Sequence, residues 1–144
     1  MIYEFLIDQL EGVCGLTGGV YPPGVCIDDV EPPFAVYFFG LTTADRDLSG
    51  AVHHYTDTIR VDFIGEHYDA IFSIWAEARD TLQNVSNLDT GHGEYVFSVS
   101  CGAADADTAD VDTDLMRKSL MVTVLWCKLS ENGSGENTEE QNAI

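Results

Sequence analysis

Positive charge is scarce in this sequence. Six Lys and Arg stand against 25 Asp and Glu, a formal net charge of −19 at pH 7. So acidic a chain repels phosphate backbones, which argues against sequence-specific DNA or RNA binding. Two readings survive the charge. One is a solubilising surface, including one that surrounds DNA without gripping it; the other is an imitation of DNA that occupies a basic partner. Long apolar runs are missing as well. None approaches the ~20 residues a membrane span needs, so no membrane partner is expected. No basic segment followed by an apolar stretch opens the chain, so no secretory signal is visible and synthesis inside the cell is expected. Cysteine is sparse: Cys14, Cys26, Cys101 and Cys127 have no CxxC spacing, and no zinc site of ordinary ligand spacing can be drawn. They read as buried free thiols.

What is present is a patterned core. Hydrophobic residues make up 45% of the 144 residues, enough for one domain, placed at 1–130, to bury a core without metal or disulfide. The clearest stretch runs from Val52 to Val85. Tyr55, Ile59, Val61 and Phe63 alternate with the polar His54, Thr56, Thr58, Arg60 and Asp62, which predicts a half-buried strand. After Gly65 the period changes. Tyr68, Ile71, Phe72, Trp75, Ala78, Leu82 and Val85 fall three and four apart, an apolar stripe that predicts a helix over 66–85, with Glu66 and Asp69 in its first turn. Asn84, Ser86 and Asn87 supply its stop.

The other elements follow in order. Ile2, Phe5, Leu6, Leu10 and Val13 predict an amino-terminal helix, ended by Gly12 and Gly15. The turn-rich run Gly18 to Gly24 leaves room for one very short strand. Phe34 to Leu41 reads as a strand apolar on both faces, either covered twice or meeting another subunit, which makes Phe34, Val36, Tyr37, Phe38 and Phe39 candidates for an oligomer interface. Thr42 to Gly50 is a polar connection, giving a β-hairpin over 34–64, and Leu88 to Gly93 is a loop. Glu94 to Cys101 alternates with Tyr95, Phe97, Val99 and Cys101 on one face. Lys118 to Leu129 is the last strand, with Leu120, Val122, Val124 and Trp126 on one side. Residues 131–144 are acidic and almost free of hydrophobes, which predicts a disordered tail. The fold class is α+β: an antiparallel sheet of about four to five strands with two helices packed on one face.

Candidate chemistry is thin. His53 and His54 are adjacent on a strand and point to opposite faces, so they cannot converge on one ion; His53 and Asp57 share a face about 13 Å apart, beyond any hydrogen bond. All three read as solvated strand polars. The acidic row Asp105, Asp107, Asp110, Asp112 and Asp114 has the carboxylates calcium takes from a loop. Counting from Asp105, an EF-hand's glycine and bidentate Glu positions fall on Asp110 and Met116, so a solvated loop is preferred. Trp75 and Trp126 read as core. No nucleophile or acid–base pair is set up, and no phosphate cradle extends from Gly18 and Gly19. The expectation is no cofactor and no enzyme.

The series Val20-Tyr21-Pro22, Pro33-Phe34-Ala35-Val36-Tyr37, the Asp45 to Gly50 loop, Ile59-Arg60-Val61-Asp62-Phe63 and the helix to Leu82 resembles the tail-completion (tail-terminator, minor tail) proteins of long-tailed bacteriophages and prophages. The resemblance covers roughly residues 1 to 101 and a final strand; the acidic insert before Lys118 and the tail after Leu129 depart from it. It implies a structural protein of the virion tail or neck, made in the bacterial host cytoplasm. It further implies assembly as a ring, typically a hexamer, whose partners are the tail tube protein and the head–tail connector. A DNA mimic and a head–tail neck adaptor are the alternatives.

Overall fold

The structure, a computed structural model, describes residues 2–25, 29–103, 108–110 and 114–129. The predicted tail over 131–144 lies outside the described residues, as do Cys26, Asp105, Asp107 and Asp112. The elements run α1 (Ile2–Glu11), β1 (Val20–Tyr21), β2 (Phe34–Arg46), β3 (Val52–Gly65), α2 (Tyr68–Gln83), β4 (Ser86–Asp89), β5 (Glu94–Ala103), β6 (Thr108–Asp110) and β7 (Leu115–Lys128). Six strands lie side by side in the order β1-β2-β3-β7-β5-β4, and the three-residue β6 pairs with the start of β7. The predicted sheet of about four to five antiparallel strands is therefore corrected twice. β1 pairs with β2 in parallel, and β4 occupies part of the stretch read as a loop. The very short strand expected within Gly18 to Gly24 is β1, but no period shows that it pairs in parallel; β4 was hidden because an element of four residues carries no period to detect.

The last strand sits in the middle. β7 inserts between β3 and β5, antiparallel to each, with Ile59 opposite Val122 and Cys101 opposite the same Val122 on the far side. Its Leu120, Val122, Val124 and Trp126 face the helices together with Ile59, Val61 and Phe63 of β3. Helix α1 adds Ile2, Phe5, Leu6 and Leu10, and α2 adds Ile71, Ile74, Trp75, Ala78 and Leu82. Each large side chain fully buried there is worth about 1.5–3 kcal/mol against an exposed position. Tyr68 and Phe72, both part of the predicted stripe, lie at its flank and stay half in water, while Ile74 is buried instead. The helix starts at Tyr68 after the cap residue His67, so Glu66 precedes it rather than lying in its first turn. Asn84 is its C-cap, as read.

In β5 the predicted alternation slips. A bulge between Val96 and Ser98 inserts one extra residue against β7 and reverses the faces. Val96 and Val99 are both buried, and Phe97 is left exposed. The free thiols are not all core residues either. Cys14 is exposed and Cys127 half-buried, while burial pushes the half-buried Cys101 thiol up to about 11.

The start of strand β2, Phe34 to Tyr37, is covered on both faces within the chain itself. Ala35 and Tyr37 join the helix-side core, and Phe34 and Val36 pack with Ile64 into a smaller cluster on the opposite face, under Tyr21, Val25, Val30 and Leu115. The polar stretch after Leu41 is not a loop. It continues as strand to Arg46, paired with β3 as far as Arg46 opposite Val52. Pairing of β7 with β3 ends at Tyr55 opposite Trp126. Beyond that point β2 and β3 run on as a two-stranded ribbon without a third strand.

Candidate assembly interface

The surface features that could meet a partner are set by this ribbon. Its turn is built by Asp47, whose Oδ1 accepts from the Ser49 amide at 2.8 Å, the Ser49 hydroxyl at 2.6 Å and the Ala51 amide at 3.0 Å. These bonds, that of the Ser49 hydroxyl first, hold the Asp47 carboxyl below the usual carboxylate range. His53 Nε2 lies 3.1 Å from Asp47 Oδ2, and His54 Nε2 lies 2.9 Å from Asp45 Oδ2. The two imidazoles thus take separate partners, as adjacent strand positions require. A turn so tied is a stiff one, and it carries Leu48 wholly in water; further down, Leu41 is 74% and Phe39 63% exposed.

A bulge governs where those residues point. Phe38 pairs with Arg60 and Leu41 with Thr58, so Phe39 and Gly40 share one opposing residue. The backbones approach so closely that a Cβ on Gly40 would lie 1.4 Å from the Thr58 carbonyl oxygen. The Gly40 amide donates to the Tyr3 hydroxyl at 3.1 Å, and Tyr3 stacks on Tyr37 and meets Phe39 edge-on. Of the five residues proposed for an interface, Phe34, Val36 and Tyr37 are therefore buried in the chain's own core. Phe38 is half-buried under the Arg60 guanidinium, and Phe39 alone is exposed.

Among the described residues three carboxylates are buried, Asp57, Asp62 and Glu94, and sequence periodicity marks none of them. Asp57, read as a solvated polar, is 3% exposed. It accepts from the Thr42 hydroxyl and from Trp126 Nε1, the latter at 3.0 Å. Around it lies a cavity of about 230 Å³, lined by Ile2, Tyr3, Tyr55 and Trp126 together with Thr42 and Lys128. Tyr55 stacks on Trp126 with ring centroids 4.8 Å apart. On the other face of β3, Asp62 has no exposure and four donors: Arg60 Nε and Nη2, both at 2.9 Å, Arg117 Nη1 at 3.1 Å and the Ser119 hydroxyl at 2.6 Å. The only available signal was the residues opposite them. Register places Asp57 against Thr42 and Asp62 against Ser119, and that register is not written in the periodicity.

A third feature is an aromatic ladder on α2. Tyr68, Phe72 and Trp75 stack in succession, with Arg79 and Lys118 over the Trp75 ring at 5.1 and 4.6 Å. Such cation–π contacts are worth about 0.5–1 kcal/mol each at exposed sites. Trp75 is anchored besides, its Nε1 donating to the Ser119 carbonyl at 3.0 Å.

With this geometry in hand, the fold has a counterpart. It matches a chain in the structure of the virion of a native gene transfer agent particle, with a TM-score of 0.62. The match covers 84% of this chain and 90% of that one, at 15% sequence identity, so the likeness is one of fold. No protein-family model and no curated protein matches the sequence.

Of the acidic row weighed for calcium, only Asp110 and Asp114 lie among the described residues. Asp110 ends the short β6 opposite Leu115, and Asp114 sits in the following turn at φ 57°. Among the described residues no group of three or more His, Cys, Asp or Glu is placed to hold a metal ion. Among the described residues no helix is long and apolar enough to cross a membrane.

Proposed function

We propose that this chain is a structural protein of a phage-type virion. In the finer reading it is a tail-completion subunit that assembles as a ring, a hexamer by family resemblance. The ring caps the head-proximal end of the tail tube and faces the head connector. The observation that carries the reading is the fold shared with a virion chain over most of both chains. The surface chemistry supports it. Phe39 and Leu41 on the outer part of β2 and Leu48 at the tip of the stiff ribbon offer exposed apolar contact for a partner. A net charge of −19 on each subunit suits a lumen through which DNA slides without adhering.

The mimic reading draws on the same charge. It needs carboxylates in rows on a rigid face, and Asp57 and Asp62 are buried while Asp45 and Asp47 face histidines. It ranks second. The deciding experiment deletes the gene from the element that encodes it and images the particles. Filled heads beside tails of uncontrolled length are expected. Normal-length tails that fail to join heads would make the chain a neck adaptor. Particles unchanged in form and infectivity would refute a virion role and favour the mimic.

A further inference from the structure

Two features not used by the fold fit one another. The ribbon tip carries Leu48 fully in water and Arg46 two residues before it, whose Nη1 donates only to the Gly50 carbonyl of the same turn, at 2.8 Å. The ribbon base holds the cavity of about 230 Å³ with apolar and aromatic walls. Inside it Asp57 is held by two neutral donors, Thr42 and Trp126, and among the described residues no cation lies within ion-pair distance of it. A buried carboxylate without a counter-ion gains most from an arriving guanidinium.

We propose that the ribbon tip of one copy docks into the Asp57 cavity of a second copy, with Leu48 against the Tyr55–Trp126 wall and Arg46 facing Asp57. This inference deepens the assembly reading above and rests on it.

The chain itself narrows the choice of occupant. It has six Lys and Arg. Arg60 and Arg117 serve Asp62, Arg79 and Lys118 flank the aromatic ladder, and Lys128 lies over the Tyr55 ring at 5.6 Å on the cavity's edge. Arg46 is the one carried on a projecting element. It cannot reach its own cavity, because pairing from Thr42 opposite Asp57 to Arg46 opposite Val52, with one register shift between Asp45 and Arg46, keeps the ribbon extended away from its base. Knob and hole are different surfaces, so the contact is heterologous, and its repetition closes a ring if the rotation permits.

The test is sedimentation velocity and light scattering of the full chain from micromolar to sub-millimolar concentration. Wild-type protein is expected to associate. Leu48→Asp, at a fully exposed position, should keep its circular dichroism and weaken association roughly tenfold to a hundredfold. Asp57→Asn, which preserves shape and removes charge, should weaken it several-fold, and Lys128→Trp should block the hole from its rim. Mixing Leu48→Asp with Lys128→Trp should give one-to-one dimers and nothing larger, since the pair retains one working tip and one working hole. If Lys128→Trp does not fold, the loss of association in Leu48→Asp decides alone, since that position is fully exposed and its substitution leaves the core untouched. Wild type that stays monomeric, association indifferent to Leu48→Asp, or mixtures that do not stop at dimers would overturn the inference. The virion role is judged separately, by the particles of the deletion strain.

Discussion

Replacing Asp62 by Asn separates a carboxylate that neutralises charge from one that merely accepts hydrogen bonds. Asp62 is fully buried and receives four donors from Arg60, Arg117 and Ser119. An Asn at this position keeps one accepting oxygen for Arg60 Nε and the Ser119 hydroxyl. Its amide hydrogens then face Arg60 Nη2 and Arg117 Nη1, donor against donor, and two guanidiniums lose the Asp62 counter-charge. Breaking a buried pair from one side costs about 3–5 kcal/mol. The two arginine side chains are 37% and 34% exposed, so water relieves part of this and about 2–4 kcal/mol is expected. For a domain of this size that lowers Tm by roughly 6–20 °C. Urea titration followed by tryptophan emission measures it. The loss should persist in high salt, because a buried pair is little screened. Arg117→Met should cost only about 1 kcal/mol, since Arg60 and Ser119 remain. Asp57→Asn should also cost less than about 1 kcal/mol, because an amide can satisfy both Trp126 and a reoriented Thr42 hydroxyl. Equal losses at Asp57 and Asp62, or a loss below about 1 kcal/mol at Asp62, would refute the reasoning.

Trp75→Ala should destabilise by about 3–5 kcal/mol, a core truncation that also strands the Ser119 carbonyl, measured by the same titration. Gly40→Ala should cost about 2–3 kcal/mol or more, because its Cβ meets the Thr58 backbone and no side chain can yield; thermal melting reads it. His92 is raised above its ordinary value of 6.5, first by its hydrogen bond to Asp8 at 2.7 Å. A raised histidine stabilises fully below that value and less as pH rises through the folded one. Tm should therefore fall more between about pH 6 and 8 in wild type than in His92→Gln.

Several elements were legible because local pattern and tertiary burial agree. The stripe of α1, the inner part of that of α2 and the inward side of β7 bury what their period says they bury, and so do Ile59, Val61 and Phe63 of β3. Elsewhere the signal was local and the outcome was not. Thr42 to Arg46 is polar enough to read as a loop, yet it is strand, because β3 supplies a partner for each residue and the side chains can stay in water. In β5, one inserted residue exchanged Phe97 for Val96 at the core.

The acidity and the order of the long elements are written in the sequence, since each is a property of neighbours along the chain. That β7 lies between β3 and β5, that Phe34 to Tyr37 of β2 are covered on both faces, and that Asp57 and Asp62 are buried are properties of the assembled sheet alone. The physical reason is register. A carboxylate on a strand is solvated or buried according to what lies across from it, and residues 57 and 126, or 62 and 119, meet only when the sheet has formed.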